Sequence, residues 1–164
     1  MSLSVFEMHF AGLPERTGRS IPKISHQNNE LKWTPNLNDR GLYMVWRYEQ
    51  STGRLYHDAT FIELGYSGKG AGKNNPSKEG VSNIGPIPRG TYRIGAPFTH
   101  RHAGGNVLRL TPINGTHTYG RDGFLIHGDS IAQPGEASNG CIIERSTVRT
   151  QIWNSGDHTL EVVY

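Results

Sequence analysis

The sequence predicts a mainly β domain, a β-sandwich or curled sheet with one short helix. Three observations predict it. Apolar residues make up 34% of the 164 and glycine contributes 21, a mix poor in core formers and rich in turn formers. Short runs of β-branched and aromatic residues alternate with Gly, Asn and Pro turns. One stretch alone, after the single cysteine, carries apolar residues at helical spacing.

The elements follow in chain order. Met1–Phe10 is mixed apolar (Leu3, Val5, Phe6, Met8, Phe10) and reads as an edge strand. From Ala11 to Arg40 periodicity is lost, broken by Pro14, Pro22, Pro35 and the turn-rich "SHQNNE" and "NLNDRG". Residues 1–40 therefore read as an extension, lying over the domain or partly mobile, and residues 41–164 as the main domain. "YMVWRYE", "STGR" and "RLYHD" make a hairpin, and "TFIELGYSG" a further strand running into glycines. "GKGAGKNNPSKEGVSNIGPIPRG" is a long loop ending in a rigid Gly85-Pro86-Ile87-Pro88 corner. "TYRIGAPF", "NVLRLTPI" and "DGFLIHG" are strands, the last delivering His127 at its end. Ile142, Ile143, Val148, Ile152 and Trp153 then define the helix, with Ser146 as N-cap and Asn154-Ser155-Gly156 as its stop. "HTLEVVY" closes the chain as a strand, and Trp33, Trp46 and Trp153 are core or cover residues.

Bulk properties exclude several functions. Lys and Arg number 17 against 14 Asp and Glu, and no basic cluster is interleaved with aromatics, so nucleic acid is not an expected partner. Neither an N-terminal signal-type apolar region nor a membrane-length run is present. The expectation is a product made in the cytoplasm without membrane insertion, leaving, if it leaves, by a route that ignores signal peptides. One cysteine cannot form an intramolecular disulfide. "GYSGKGAGKNN" lacks the spacing of either phosphate-binding fingerprint, which leaves a flexible turn or a wall over a cleft. Eight histidines, including His100, His102 and His117, show no zinc spacing, so neither metal nor cofactor is expected.

His127 and Cys141 lie 141 − 127 = 14 positions apart. The thiolate is the reactive form of cysteine, and an imidazole within reach can take the thiol proton. The intervening loop holds Pro134, Gly135 and Gly140 and can turn back sharply, bringing both groups to one rim of a sheet. Backbone N–H groups around Asn139, Gly140 and Cys141 then offer an oxyanion hole. The imidazole needs an orienter, for which the Gly128 carbonyl is expected and Asp129 is the alternative. The blander readings are a small buried apolar cysteine and a satisfied, half-buried histidine. Histidine before cysteine, close in sequence, argues against papain-like enzymes, which have the reverse order.

"IHGDSIAQPGEASNGCII" resembles the L,D-transpeptidases (YkuD-type), in which a His, a short loop and Ser-x-Gly-Cys recur. "GYSGKGAGKNNP", "VSNIGPIPRGTYRI", "RDGFLIHGD" and "SGDHTLEVV" are similar, in order, to the type VI secretion L,D-transpeptidase effectors, the Tlde family, over about Gly41–Tyr164. The resemblance implies a catalytic domain over residues 41–164. It implies Cys141 as nucleophile and His127 as base, acting on peptidoglycan tetrapeptide stems between the third-position diaminopimelate and the terminal D-alanine. Carboxypeptidase, D-amino-acid exchange or cross-linking would follow from one acyl-enzyme. It also implies delivery by a type VI secretion component into a rival's periplasm, and a cognate immunity protein. By this analogy Tyr66, Ser67, Gly68, Ser138 and Asn139 border the substrate, although Ser138 also suits a turn. Ordinary members carry His before the Gly-Cys and Arg soon after; here Asn139 precedes Gly140 and Arg145 is the nearest basic residue. Arg145 is thus a candidate for the substrate carboxylate or a surface charge at a helix N-terminus, and Arg89 either points at the anionic stem or, as the reading favoured here, is a solvated charge. The alternatives are another cysteine amidase or endopeptidase of the wall, or a non-catalytic β cell-wall-binding module with Cys141 buried.

Overall fold

The structure is a computed structural model that describes residues 45–164. The expected edge strand at Met1–Phe10, the extension over residues 1–40, Trp33 and the first residues of the hairpin lie outside the described residues.

Ten strands form one curled, mixed sheet, as composition and patterning predict. They are β1 (Trp46–Glu49), β2 (Arg54–His57), β3 (Thr60–Leu64), β4 (Tyr66–Ser67), β5 (Gly90–Ile94), β6 (Phe98–His100), β7 (Gly104–Ile113), β8 (Leu125–His127), β9 (Ile142–Ile143) and β10 (Thr159–Val163), with helix α1 (Ser146–Asn154) before the last. Their order is β3-β2-β1-β10-β5-β7-β8-β9-β4, with β6 paired to β7. β1–β10 and β8–β9 are parallel and the other pairs antiparallel.

Alternation sets the inner face. Trp46 and Tyr48 on β1, Leu160 and Val162 on β10, Tyr92 and Ile94 on β5, Leu108 and Leu110 on β7, Ile126 on β8 and Ile142 on β9 join one buried cluster. Residues from strands far apart in the order share that core, so the sheet wraps around it. Strand β7 makes the wrap: its last four residues pair with β5, whereas Leu108 and Arg109 pair with β8. Helix α1 adds Val148 and Ile152 to the same cluster, but Ile142 and Ile143, expected in the helix, instead form β9, where they pair with β8. Ser146 is its first helical residue rather than its cap; Arg145 occupies the cap position without a side-chain hydrogen bond. The Ser146 hydroxyl instead lies 3.2 Å from Asn106 Nδ2. Gly156, at φ +79°, ends the segment as expected.

The long loop between β4 and β5 folds on itself. It contains two single 3₁₀ turns, Gly70–Gly72 and Pro76–Lys78. At Gly85 an added Cβ would meet Lys78 O at 1.7 Å, so this glycine lets the loop pack against its own backbone. Glu79 is its anchor. The buried carboxylate accepts from Gln50 Nε2 (2.9 Å), Tyr119 Oη (2.9 Å), Arg89 N (3.0 Å) and Arg89 Nη2 (2.7 Å). Arg89 is thus an ion-pair partner rather than a solvated charge. Burial works against the charge, but these hydrogen bonds outweigh it and hold the carboxyl down to about 2.

A carboxyl held below its ordinary 4.5 contributes stability above that pH and loses it as pH falls towards 2. Glu79→Gln should therefore lower the unfolding free energy at neutral pH by roughly 2 kcal/mol, read by urea denaturation. The variant should also lack the wild type's loss of stability between those two pH values.

Candidate functional site

The second face of the sheet, away from the main core, carries the candidate residues. Parallel β8 and β9 pair Ile126 with Ile142 and His127 with Ile143. One step back along the same register, Cys141 stands beside Leu125. Leu125, His127, Cys141 and Ile143 therefore point to one face, opposite Ile126 and Ile142. His127 and Cys141 are diagonal neighbours on adjacent strands. The pairing continues outward: Tyr66 opposite Ile143 on β4, Arg109 opposite Leu125 on β7.

His127 is buried at the end of β8. Its Nδ1 lies 2.8 Å from Gly128 O, a contact that places the proton on Nδ1 and leaves the Nε2 lone pair free as a base. Asp129 makes no contact with the ring. Its carboxylate accepts from Tyr66 Oη (2.5 Å), Ser130 N (2.8 Å) and Gly135 N (2.9 Å), and so shapes the loop between histidine and cysteine. Tyr66 Oη in turn accepts from Ala137 N at 3.0 Å, and Lys73 Nζ sits 4.1 Å above its ring while donating to Gly135 O. Tyr66 thus works as the peg of this loop, its phenol raised by burial and by the Asp129 hydrogen bond.

The turn before Cys141 rests on one hydroxyl. Ser138 Oγ donates to Cys141 O (2.6 Å) and accepts from Gly68 N (2.8 Å) and Gly140 N (3.1 Å). Ser67 Oγ donates to Gly140 O (3.3 Å) and accepts from Ile87 N (2.8 Å). Ser67, Gly68 and Ser138 are all buried behind the turn, so the structure gives them a scaffolding place. Gly140 needs correction as an oxyanion donor: its N–H is already engaged by Ser138 Oγ. Among the described residues, the N–H groups of Asn139 and Cys141 have no hydrogen-bond acceptor on this turn, so these two remain as candidate donors.

A residue the sequence reading missed holds this turn from the other side. Arg121 is buried, and its guanidinium meets four carbonyls: Glu79 O, Pro86 O (2.7 Å), Gly85 O (3.0 Å) and Asn139 O (3.3 Å). Asn139 is exposed and contributes this backbone carbonyl. An added Cβ at Gly140 would lie 2.0 Å from Arg121 Nη2, and Gly140 has φ +125°. The motif's glycine is required by both facts. Nothing local in the sequence singles out Arg121, which lies in "RDGFLIHGD".

Electrostatics leave both partners neutral at rest. Burial pushes the Cys141 thiol above its ordinary 9.0, against the Leu125 N–H and the positive charges of Arg121 and Arg109, which favour thiolate. Burial pulls the His127 imidazole below 6.5; the Gly128 carbonyl opposes this, and Arg149 and His100 add to it. No hydrogen bond joins Sγ to the ring in this state, as is common before substrate closes a site. Beyond the end of β8 opens a cleft of about 390 Å³, lined among others by Tyr66, Gly128, Asp129, Ile143, Glu63 and Arg145. Gly128, next to His127 in the chain, and Ile143, paired with His127 in the ladder, line it, whereas His127 and Cys141 do not. Arg145 is exposed on its wall and paired with Glu63. Beneath them Glu144 is buried, and burial and the neighbouring Glu63 raise its carboxyl to about 8.

Gly140→Ala should keep the fold, read by circular dichroism, while displacing Arg121 and the Cys141 N–H. Turnover of any acyl substrate is expected to fall about 100-fold, the usual consequence of a misplaced oxyanion donor.

No curated protein shows significant similarity to the chain. The model of the Tlde1 domain family matches residues 62–163, from β3 through both candidate residues to the last strand. With this match spanning more than half of its length, and with the buried turn and histidine inside it, the chain belongs to the Tlde1 domain family.

Proposed function

We propose that the protein is a cysteine acyl-transfer enzyme acting on peptidoglycan tetrapeptide stems. The observation that carries the reading is the diagonal placement of His127 and Cys141 on one face of paired strands, with Nδ1 held by Gly128 O. A neutral thiol beside a neutral imidazole suits general-base activation. Nε2 takes the thiol proton as Sγ attacks the carbonyl between diaminopimelate and the terminal D-alanine. The oxyanion faces the Cys141 N–H, within the field of Arg121. Collapse breaks the C–N bond, the imidazolium returns its proton to the departing amine, and a thioester remains. Water then gives a carboxypeptidase reaction, a free D-amino acid gives exchange, and a second stem gives a cross-link. Each transfers the acyl group from sulfur and regenerates the thiol.

Membership in the Tlde1 family supports a type VI secretion effector, delivered into a rival's periplasm and neutralised in its producer by an immunity protein. A lone thiol suits such an oxidising compartment, since it has no internal partner.

The test is incubation with tetrapeptide muropeptides, with and without a D-amino acid, followed by mass analysis. Loss of one alanine, or its replacement by the added D-amino acid, is the expected product. Cleaved glycan–stem or cross-bridge bonds would point to an amidase or endopeptidase, and no product together with an inert thiol would point to a binding module. Cys141→Ala and His127→Ala should each abolish D-alanine release; turnover surviving in either sinks the mechanism. The pH profile of kcat/KM should rise on an acid limb below 6.5, as His127 becomes a base, and fall on an alkaline limb above 9.0, as the thiol proton needed by the leaving amine is lost.

A further inference from the structure

Arg121 is a buried guanidinium with no carboxylate in ion-pair range among the described residues. Arg47, Arg89 and Arg145 each have a glutamate, whereas Arg121 has only carbonyl oxygens. Its carbon Cζ lies 5.3 Å from the centroid of the buried Phe124 ring. Carbonyl dipoles and a ring face hold a cation in place but leave its charge unneutralised, and a charge in such a place reaches further than one in water.

Three groups can supply negative charge to it: Tyr92, Cys141 and Glu79. Glu79 gives Arg121 its backbone carbonyl, while its carboxylate is engaged by Arg89, Gln50 and Tyr119. Tyr92 donates its phenol proton to Pro88 O at 2.8 Å, and burial pushes that phenol up, so it stays neutral. Cys141 is left. Its neighbour Gly140 packs on the guanidinium, and Asn139 O accepts from Nη2. The other ionisable groups on the elements packed around Cys141 are His127 on β8, Arg109 on β7, Tyr66 on β4, and Asp129 and Glu136 on the intervening loop. Burial keeps His127 neutral above 6.5, Tyr66 and Asp129 bond each other, and Arg109 and Glu136 are exposed, where solvent screens them.

We propose that Arg121 is the standing counter-charge of the nucleophile, a positioning residue that favours negative charge on the Cys141 sulfur and on the acyl oxygen. The loop after β4 aims that charge, because three of its carbonyls fix the guanidinium. For the acyl oxygen this rests on the acyl-transfer reading above; for the sulfur it does not.

The test is the pH dependence of Cys141 alkylation by iodoacetamide in the full chain, which needs no wall substrate. In Arg121→Gln the midpoint should rise by about one unit, so that the thiol reacts about tenfold more slowly at a given pH on the rising limb. Arg121→Lys keeps a cation and should stay within about half a unit of the wild type. The sign separates charge from bracing. Loss of a mere brace would admit water to the buried thiol and lower its midpoint towards the ordinary 9.0. An unchanged or lowered midpoint in folded Arg121→Gln overturns the proposal, as does a wild-type thiol inert at every pH. Should Arg121→Gln not fold, Arg121→Lys decides: the wild-type midpoint upholds the proposal, and a larger shift in either direction overturns it. In Arg121→Gln the alkaline limb of kcat/KM should move up with the alkylation midpoint. A wild type that releases nothing from tetrapeptide stems, while Arg121→Gln shows the alkylation shift, overturns the acyl-transfer reading and upholds the counter-charge at sulfur.

Discussion

The register between β8 and β9 is the constraint on which the site depends. Ile126 pairs with Ile142, and both side chains enter the core. Two buried isoleucines therefore lock the alignment that sends His127 and Cys141 to the opposite face. A slip of one residue would carry either group into the apolar interior, where neither could meet a substrate. The core thus specifies the site without touching it. The parallel direction matters too: it requires the chain to return through the loop 128–141 before it re-enters the sheet, and that return delivers the Ser-x-Gly-Cys turn.

Around this pair the molecule trades flexibility for fixed dipoles. The Ser138 hydroxyl, the Ser67 hydroxyl and the Arg121 guanidinium together engage backbone groups from residues 68, 79, 85, 86, 87, 139, 140 and 141. The long loop after β4, anchored by Glu79, is thereby part of what holds the turn before Cys141. Two arginines are buried nearby, Arg121 behind the turn before Cys141 and Arg149 on α1 next to Gly128. Both meet carbonyls rather than carboxylates among the described residues. Carbonyl dipoles solvate a guanidinium without cancelling its charge, so its field remains to act on thiolate or oxyanion. The same burial keeps the resting thiol and imidazole neutral.

Much of this was legible in the chain and some was not. The mainly β class, the hairpin at Trp46–His57, the helix after Cys141 and the closing strand follow from local patterning, because side-chain period reports which face meets the core. The Gly128 carbonyl beside His127 was also readable, since it belongs to the next residue in the chain. Ser67, Gly68 and Ser138 were visible as polar turn residues, but whether they face a substrate or a backbone depends on what folds behind them. Arg121 and Arg149 carry no local signal, because nothing in the sequence distinguishes a buried arginine from a solvated one.

By itself, then, the order of residues determined the class of fold, the short loop between His127 and Cys141, and the Gly128 carbonyl as the ring's neighbour. Those are consequences of side-chain period and backbone freedom, which act over a few residues. Tertiary structure alone decided which N–H groups of the turn stay unbonded, which acid holds the long loop, and where two guanidinium groups end on carbonyls without counter-charges among the described residues. Burial and hydrogen-bond partnership depend on segments distant in sequence, and only the closed sheet brings those segments together.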